Sequence, residues 1–213
     1  MKKGVFFDLD GTLWDSAENV CKAWNEVFSS HIPQLHKTIT VPELHGYMGK
    51  TLNDIAALMF PDIGSEKRME IMNAACDNEN AYLAKHGGVL YPDVASTLEK
   101  LRERYSLYIV SNCQAGYIET FLGFYGLGYL FEDFECPGRT GQGKAANIKL
   151  VMERNGVSRA VYIGDTQGDL DASDEAGAAF IHAAYGFGTV NRDTPQVLSF
   201  GEIPAAADEI LGK

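Results

Sequence analysis

Three pairs of polar residues stand where an apolar run gives way to a turn: Asp8 with Asp10, Ser111 with Asn112, and Asp165 with Asp169. Each pair alone is ordinary, because Asp, Ser and Asn cap helices and make turns for local hydrogen-bonding reasons. Taken together with Lys144 they suggest more. Carboxylates gathered at one edge repel one another unless a cation joins them, and hard oxygen ligands of this kind suit magnesium.

The elements around these residues would bring them together. Gly4-Val5-Phe6-Phe7 is a short β-favouring run that ends in Asp8-Leu9-Asp10-Gly11-Thr12, a buried strand opening into a loop. Leu107-Tyr108-Ile109-Val110 ends at Ser111, and Ala160-Val161-Tyr162-Ile163 ends in Gly164-Asp165-Thr166. Helical spacing surrounds them: through Leu98 and Leu101, from Tyr117 to Phe124, from about Ala145 to Asn155, from about Asp169 to Ala176, and from about Ala205 onward. Short strands are expected near Phe134 and at Ala179-Phe180-Ile181. The fold class implied is α/β, a doubly wound parallel sheet, which binds ligands beyond the carboxyl ends of its strands. From Ser16 to about His86 the spacing is helical throughout, divided by Pro33, Pro42 and Pro61. The expected organisation is an α/β core of residues 1–14 and 88–213 with a helical insertion at 15–87.

Composition narrows the function classes. A 213-residue chain that is 46% hydrophobic and 22% charged can bury a sizeable core. Its net charge of -11 opposes nucleic acid and anionic membranes as partners. No apolar run approaches a membrane span, and Asp8 and Asp10 interrupt any secretory signal after Met1-Lys2-Lys3. Cys21, Cys76, Cys113 and Cys136 form no C-x-x-C pair, which suggests reduced thiols and a cytoplasmic protein. Gly138 to Lys144 satisfies G-x-x-x-x-G-K, but Ala145 stands where a phosphate-binding loop needs Ser or Thr. The five histidines show no paired ligand spacing, and Trp24, Tyr117, Phe121 and Tyr125 read as core aromatics, with Trp14 at the edge of the insertion.

The chain resembles the haloacid dehalogenase superfamily from Phe6 to roughly Gly188, in its phosphoglycolate phosphatase-like branch with a small helical cap. Asp8-Leu9-Asp10-Gly11-Thr12-Leu13, Ser111, Lys144, and Gly164-Asp165-Thr166-Gln167-Gly168-Asp169 appear in the family's order. The D-x-D-G-T pattern would arise by chance in roughly a few chains per thousand of this length. Ala145 departs from the proline that many relatives have after the lysine.

The resemblance implies a magnesium-dependent phosphatase acting on a small phosphorylated metabolite. Asp8 would be the nucleophile that forms an aspartyl-phosphate, and Asp10 the acid and base. Ser111 and Lys144 would steady the phosphoryl oxygens with Gly11, Asn112 and the supporting Thr12. Asp8, the Asp10 carbonyl, Asp165 and Asp169 would hold the metal. The insertion would close over the site, with Lys50 in Gly46-Tyr47-Met48-Gly49-Lys50-Thr51 reaching the substrate. A β-phosphoglucomutase-like phosphomutase shares Asp8 and Asp10, and a receiver-like phosphoaspartate module shares the carboxylates and lysine. A monomer or homodimer is expected.

Overall fold

The computed structural model describes residues 1–212. In chain order its elements are β1 (Lys2–Phe7), β2 (Trp14–Asp15), α1 (Ala17–His31), α2 (Val41–His45), α3 (Leu52–Met59), α4 (Ser65–His86), β3 (Val89–Leu90), α5 (Val94–Arg102) and β4 (Ser106–Val110). There follow α6 (Tyr117–Tyr125), β5 (Asp133–Glu135), α7 (Pro137–Thr140), α8 (Lys144–Arg154), β6 (Val157–Gly164), α9 (Gln167–Ala176), β7 (Ala179–Ala183), β8 (Gln196–Val197) and α10 (Ile203–Leu211).

The main sheet runs β5-β4-β1-β6-β7-β8, and every pairing within it is parallel. Strand β1 lies between β4 and β6, so successive connections leave it toward opposite sides. That is the topological switch point of a doubly wound sheet. Val5 and Phe7 face one side, where they join Leu98 and Leu101 of α5 and Ile203 and Ala207 of α10. Phe6 faces the other, with Tyr108, Tyr162 and the apolar sides of α8 and α9. Burial on both faces explains why β1 reads as a continuous apolar run and not an alternating one.

Helices α1 to α4 occupy the chain between β2 and β3. Those two strands form a short antiparallel ribbon, Trp14 opposite Leu90 and Asp15 opposite Val89, which carries the chain out of the sheet layer and back. Trp14 is wholly buried there, its indole edge-on to Tyr117, Phe121 and Tyr125. Gly87 ends α4 with φ +63°, and a Cβ at this position would overlap the Phe124 ring, so only glycine fits the turn.

Several boundaries differ from the sequence expectation. Helix α9 starts at Gln167, two residues early, because Thr166 and Asp169 form a reciprocal capping box. Helix α10 starts at Ile203, with Pro204 in its first turn. The four-residue α7 and two-residue β8 are too short to leave a periodic pattern.

Candidate active site

Asp8 follows the last residue of β1, Ser111 the last of β4, and Asp165 directly follows Gly164 of β6. Because β4, β1 and β6 are neighbours, the three sequence clusters meet at one edge of the sheet. Lys144 opens α8 and reaches the same point, its Nζ 3.0 Å from Asp8 Oδ1 and bonded to Asp169 Oδ1. The other Asp169 oxygen accepts from the Thr166 N–H and Oγ1 at 3.0 and 2.7 Å. Asp169 therefore fixes Lys144 against the start of α9.

Glycine explains how the loops approach so closely. Gly11 has φ +79°, and a Cβ there would run into the Asp165 carboxylate. The N–H groups of Phe187 and Gly188 donate to Asp165 Oδ2 at 2.8 and 3.1 Å, while its Oδ1 is buried with no hydrogen-bond partner. Carboxylate oxygens of Asp8, Asp165 and Asp169 lie within 4.8 Å of one another. All three residues are buried, and Lys144 is the one ammonium bonded to them among the described residues. A set of hard oxygens in which Asp165 Oδ1 lacks any partner, with one ammonium against three carboxylates, fits a divalent cation.

Electrostatics follow burial. Desolvation pushes the Asp8 carboxyl up to about 6, reinforced by Asp169 and opposed by Lys144 and Ser111. Burial, Asp169 and Asp8 push Asp165 up to about 8, against the two backbone N–H groups that favour its charged form. Burial works against the Lys144 ammonium, but Asp169 and Asp8 outweigh it and the pKa is raised.

Asp10 is held differently. Its Oδ1 accepts from Ser16 Oγ at 2.7 Å and from Tyr117 Oη at 2.9 Å. Burial lifts its carboxyl to about 7, opposed by those two donors. The Tyr117 ring packs on Trp14 as expected of a core aromatic, but its hydroxyl belongs to the site. Tyr117 and Ser16 went unrecognised because an aromatic at helical spacing and a serine at a helix start both have ordinary structural explanations.

A cavity of about 70 Å³ lies over Asp8 and Asp10. Ser111, Asn112 and Lys50 line it, whereas Gly11, Thr12, Lys144, Asp165 and Asp169 are not in its wall. Thr12 is wholly buried and its carbonyl accepts from Tyr185 Oη, a loop-supporting place. The Asn112 amide donates to the Gly49 carbonyl at 2.9 Å, tying the core edge to the loop before α3. His45 of α2 stacks on Phe187 with ring centroids 4.2 Å apart, a second contact of the same kind.

Helix α4 adds a residue that sequence reasoning missed. Glu79 is buried in the cavity wall and accepts from Trp24 Nε1 at 2.5 Å. Burial, then the charge on Asp10, lift its carboxyl to about 8, opposed by hydrogen bonds from Trp24 and Gln114. The signal was available: Met72, Ala75, Cys76, Glu79 and Leu83 follow helical spacing, and an acid sits in that apolar stripe. No described helix is long and apolar enough to cross a membrane, and the four cysteines are free.

Comparison with known proteins agrees with this geometry. The chain is 25% identical over 196 residues to a phosphoglycolate phosphatase of Pasteurella multocida, covering 87% of each chain. It is also 25% identical to one of Rhodobacter capsulatus, covering 100% of this chain and 98% of that one. A solved hydrolase of the haloacid dehalogenase-like family from Streptococcus pneumoniae superposes with TM-score 0.80 at 22% identity, over 96% of this chain and 97% of that one. The model of the haloacid dehalogenase-like hydrolases matches residues 5–183, most of the sequence, and the chain belongs to that family.

Proposed function

We propose that the chain is a magnesium-dependent phosphatase that hydrolyses a small phosphomonoester through an aspartyl-phosphate on Asp8. What carries this reading is the convergence of Asp8, Ser111 and Lys144 at the switch point of the sheet, beneath a cavity that Asp10 also lines. The family and the phosphoglycolate phosphatase relatives support the reaction class.

An Asp8 oxygen attacks phosphorus, and the bond from phosphorus to the ester oxygen breaks. Asp10, whose carboxyl sits near 7, gives its proton to the departing alkoxide. The resulting Asp10 carboxylate then takes a proton from water as that water attacks the phosphoaspartate, which frees phosphate and restores Asp8. Lys144, held by Asp169, and Ser111 offer donors to the phosphoryl oxygens. Asp8, Asp165 and the Asp10 carbonyl would hold magnesium, with Asp169 behind them; when bound, magnesium supplies Lewis-acid charge stabilisation. The helices α1 to α4, as a cap over the core, would exclude water from this chemistry. Lys50 would meet the substrate from the cap side.

The test is trapping. Asp10→Asn mixed with p-nitrophenyl phosphate, whose leaving group needs no acid, should accumulate one phosphoryl group on the peptide that contains Asp8, read by acid-quenched mass spectrometry. An adduct elsewhere, or turnover with no adduct under single-turnover conditions, would overturn the assignment.

A further inference from the structure

Glu79 is a buried carboxyl that the proposed hydrolysis does not use. Its exposure is 4%, it lines the cavity, and among the described residues no lysine, arginine or histidine forms an ion pair with it. The nearest charge that bears on it is Asp10, which is of like sign. The Trp24 indole needs only an acceptor, and a neutral amide would provide one without the desolvation cost of a carboxylate. A carboxyl here, able to ionise against a bound cation, therefore fits a partner that is not part of the chain.

We infer that the site takes a small phosphomonoester whose leaving group carries an ammonium, with Glu79 as the carboxylate that pairs with it. The inference rests on the phosphatase reading above. Around Glu79 the cap side of the cavity is apolar, with Trp24, Val20, Met48 and Leu52. Such surroundings strengthen a charge pair and penalise an unpaired charge. A substrate ending in a carboxylate would gain no ion pair at Glu79. Lys50 is the one cation in the described wall, and its side chain is exposed, so the buried end is anionic and the open end cationic. The carboxyl lifted to about 8 is the state of the site without its partner, and a bound ammonium would return it to the ionised form.

The experiment compares kcat/KM for O-phosphoethanolamine and phosphoglycolate, near-equal in size and opposite in end charge, with magnesium present. p-Nitrophenyl phosphate serves as a third substrate. The wild type should favour the amine ester by about tenfold or more, and Glu79→Gln, which keeps the acceptor for Trp24, should lose that ratio mainly through KM. A wild-type preference for phosphoglycolate, which would place the end group at Lys50, or a ratio unmoved by Glu79→Gln, overturns the inference while leaving the phosphatase reading standing. The wild-type ratio decides the matter even if the variant folds poorly. Absence of magnesium-dependent release from all three esters would refute the phosphatase reading, and this inference with it.

Discussion

Lys144 is buried between Asp8 and Asp169, so its ammonium is their main compensation within the protein. Lys144→Met removes one member of a buried ionic cluster and leaves the other two uncompensated, which should cost roughly 3–5 kcal/mol. A urea melt in chelator checks this; a midpoint within error of wild type would contradict it. Tyr117→Phe keeps the ring against Trp14 and deletes the donor to Asp10. It should lower kcat by roughly tenfold with KM little changed, as expected for loss of an interaction that orients the acid. A change confined to KM would place Tyr117 in binding instead. Asp8 and Asp10 were legible in the sequence because their motif lies where a strand ends, and Lys144 because it opens a helix between the second and fourth motifs in the family's order. Tyr117 was not, since one residue serves two environments and the apolar ring dominates any periodicity. Glu79 belongs to the apolar stripe of α4, but its neighbours in Asp77-Asn78-Glu79-Asn80 mask it as part of a polar run.

Helix α4 joins the cavity wall to the ribbon of β2 and β3, and its C-terminal cap and one interior residue give separate predictions. At Gly87 the positive φ and the Phe124 ring leave no room for a methyl group. Gly87→Ala should destabilise by about 1–3 kcal/mol, visible as a lowered Tm, whereas an unchanged Tm would mean the ribbon yields freely. Within α4, Glu79 carries a folded-state carboxyl near 8, against 4.5 for the ordinary glutamate side chain. A raised pKa means the folded state holds the proton more tightly. The stability this contributes is full below about pH 4.5 and is lost as pH rises through about 8. Glu79→Gln mimics the protonated form, so the wild type should lose Tm relative to the variant between pH 5.5 and 8.5. Parallel Tm curves would contradict that. At this scale the strands were legible because β1, β4 and β6 are buried on both faces and read as apolar runs. The ribbon of Trp14–Asp15 with Val89–Leu90 was not, because pairing across so long an insertion leaves no local pattern.

The whole molecule arranges a sheet edge under a helical cover, with contacts such as Asn112 to Gly49 and His45 on Phe187 joining the two. The fold class and the meeting of the clusters followed from the order of strands and helices, whereas the size and charge of the cavity depended on tertiary packing. At this scale the net charge of -11 and the three buried carboxylates make a cation stabilising. Magnesium at a hundredfold its Kd should add about 2.7 kcal/mol to folding stability, and Asp165→Asn should lose most of that increment. The central claim is that Asp8 performs metal-dependent phosphoester hydrolysis. It is tested most directly by phosphate release from a panel of phosphomonoesters, with magnesium or with chelator, by wild type and Asp8→Asn side by side. The account predicts release that needs magnesium and falls by about 10³-fold or more in Asp8→Asn, with the fold intact. Release that survives in Asp8→Asn, or that proceeds equally in chelator, would contradict it.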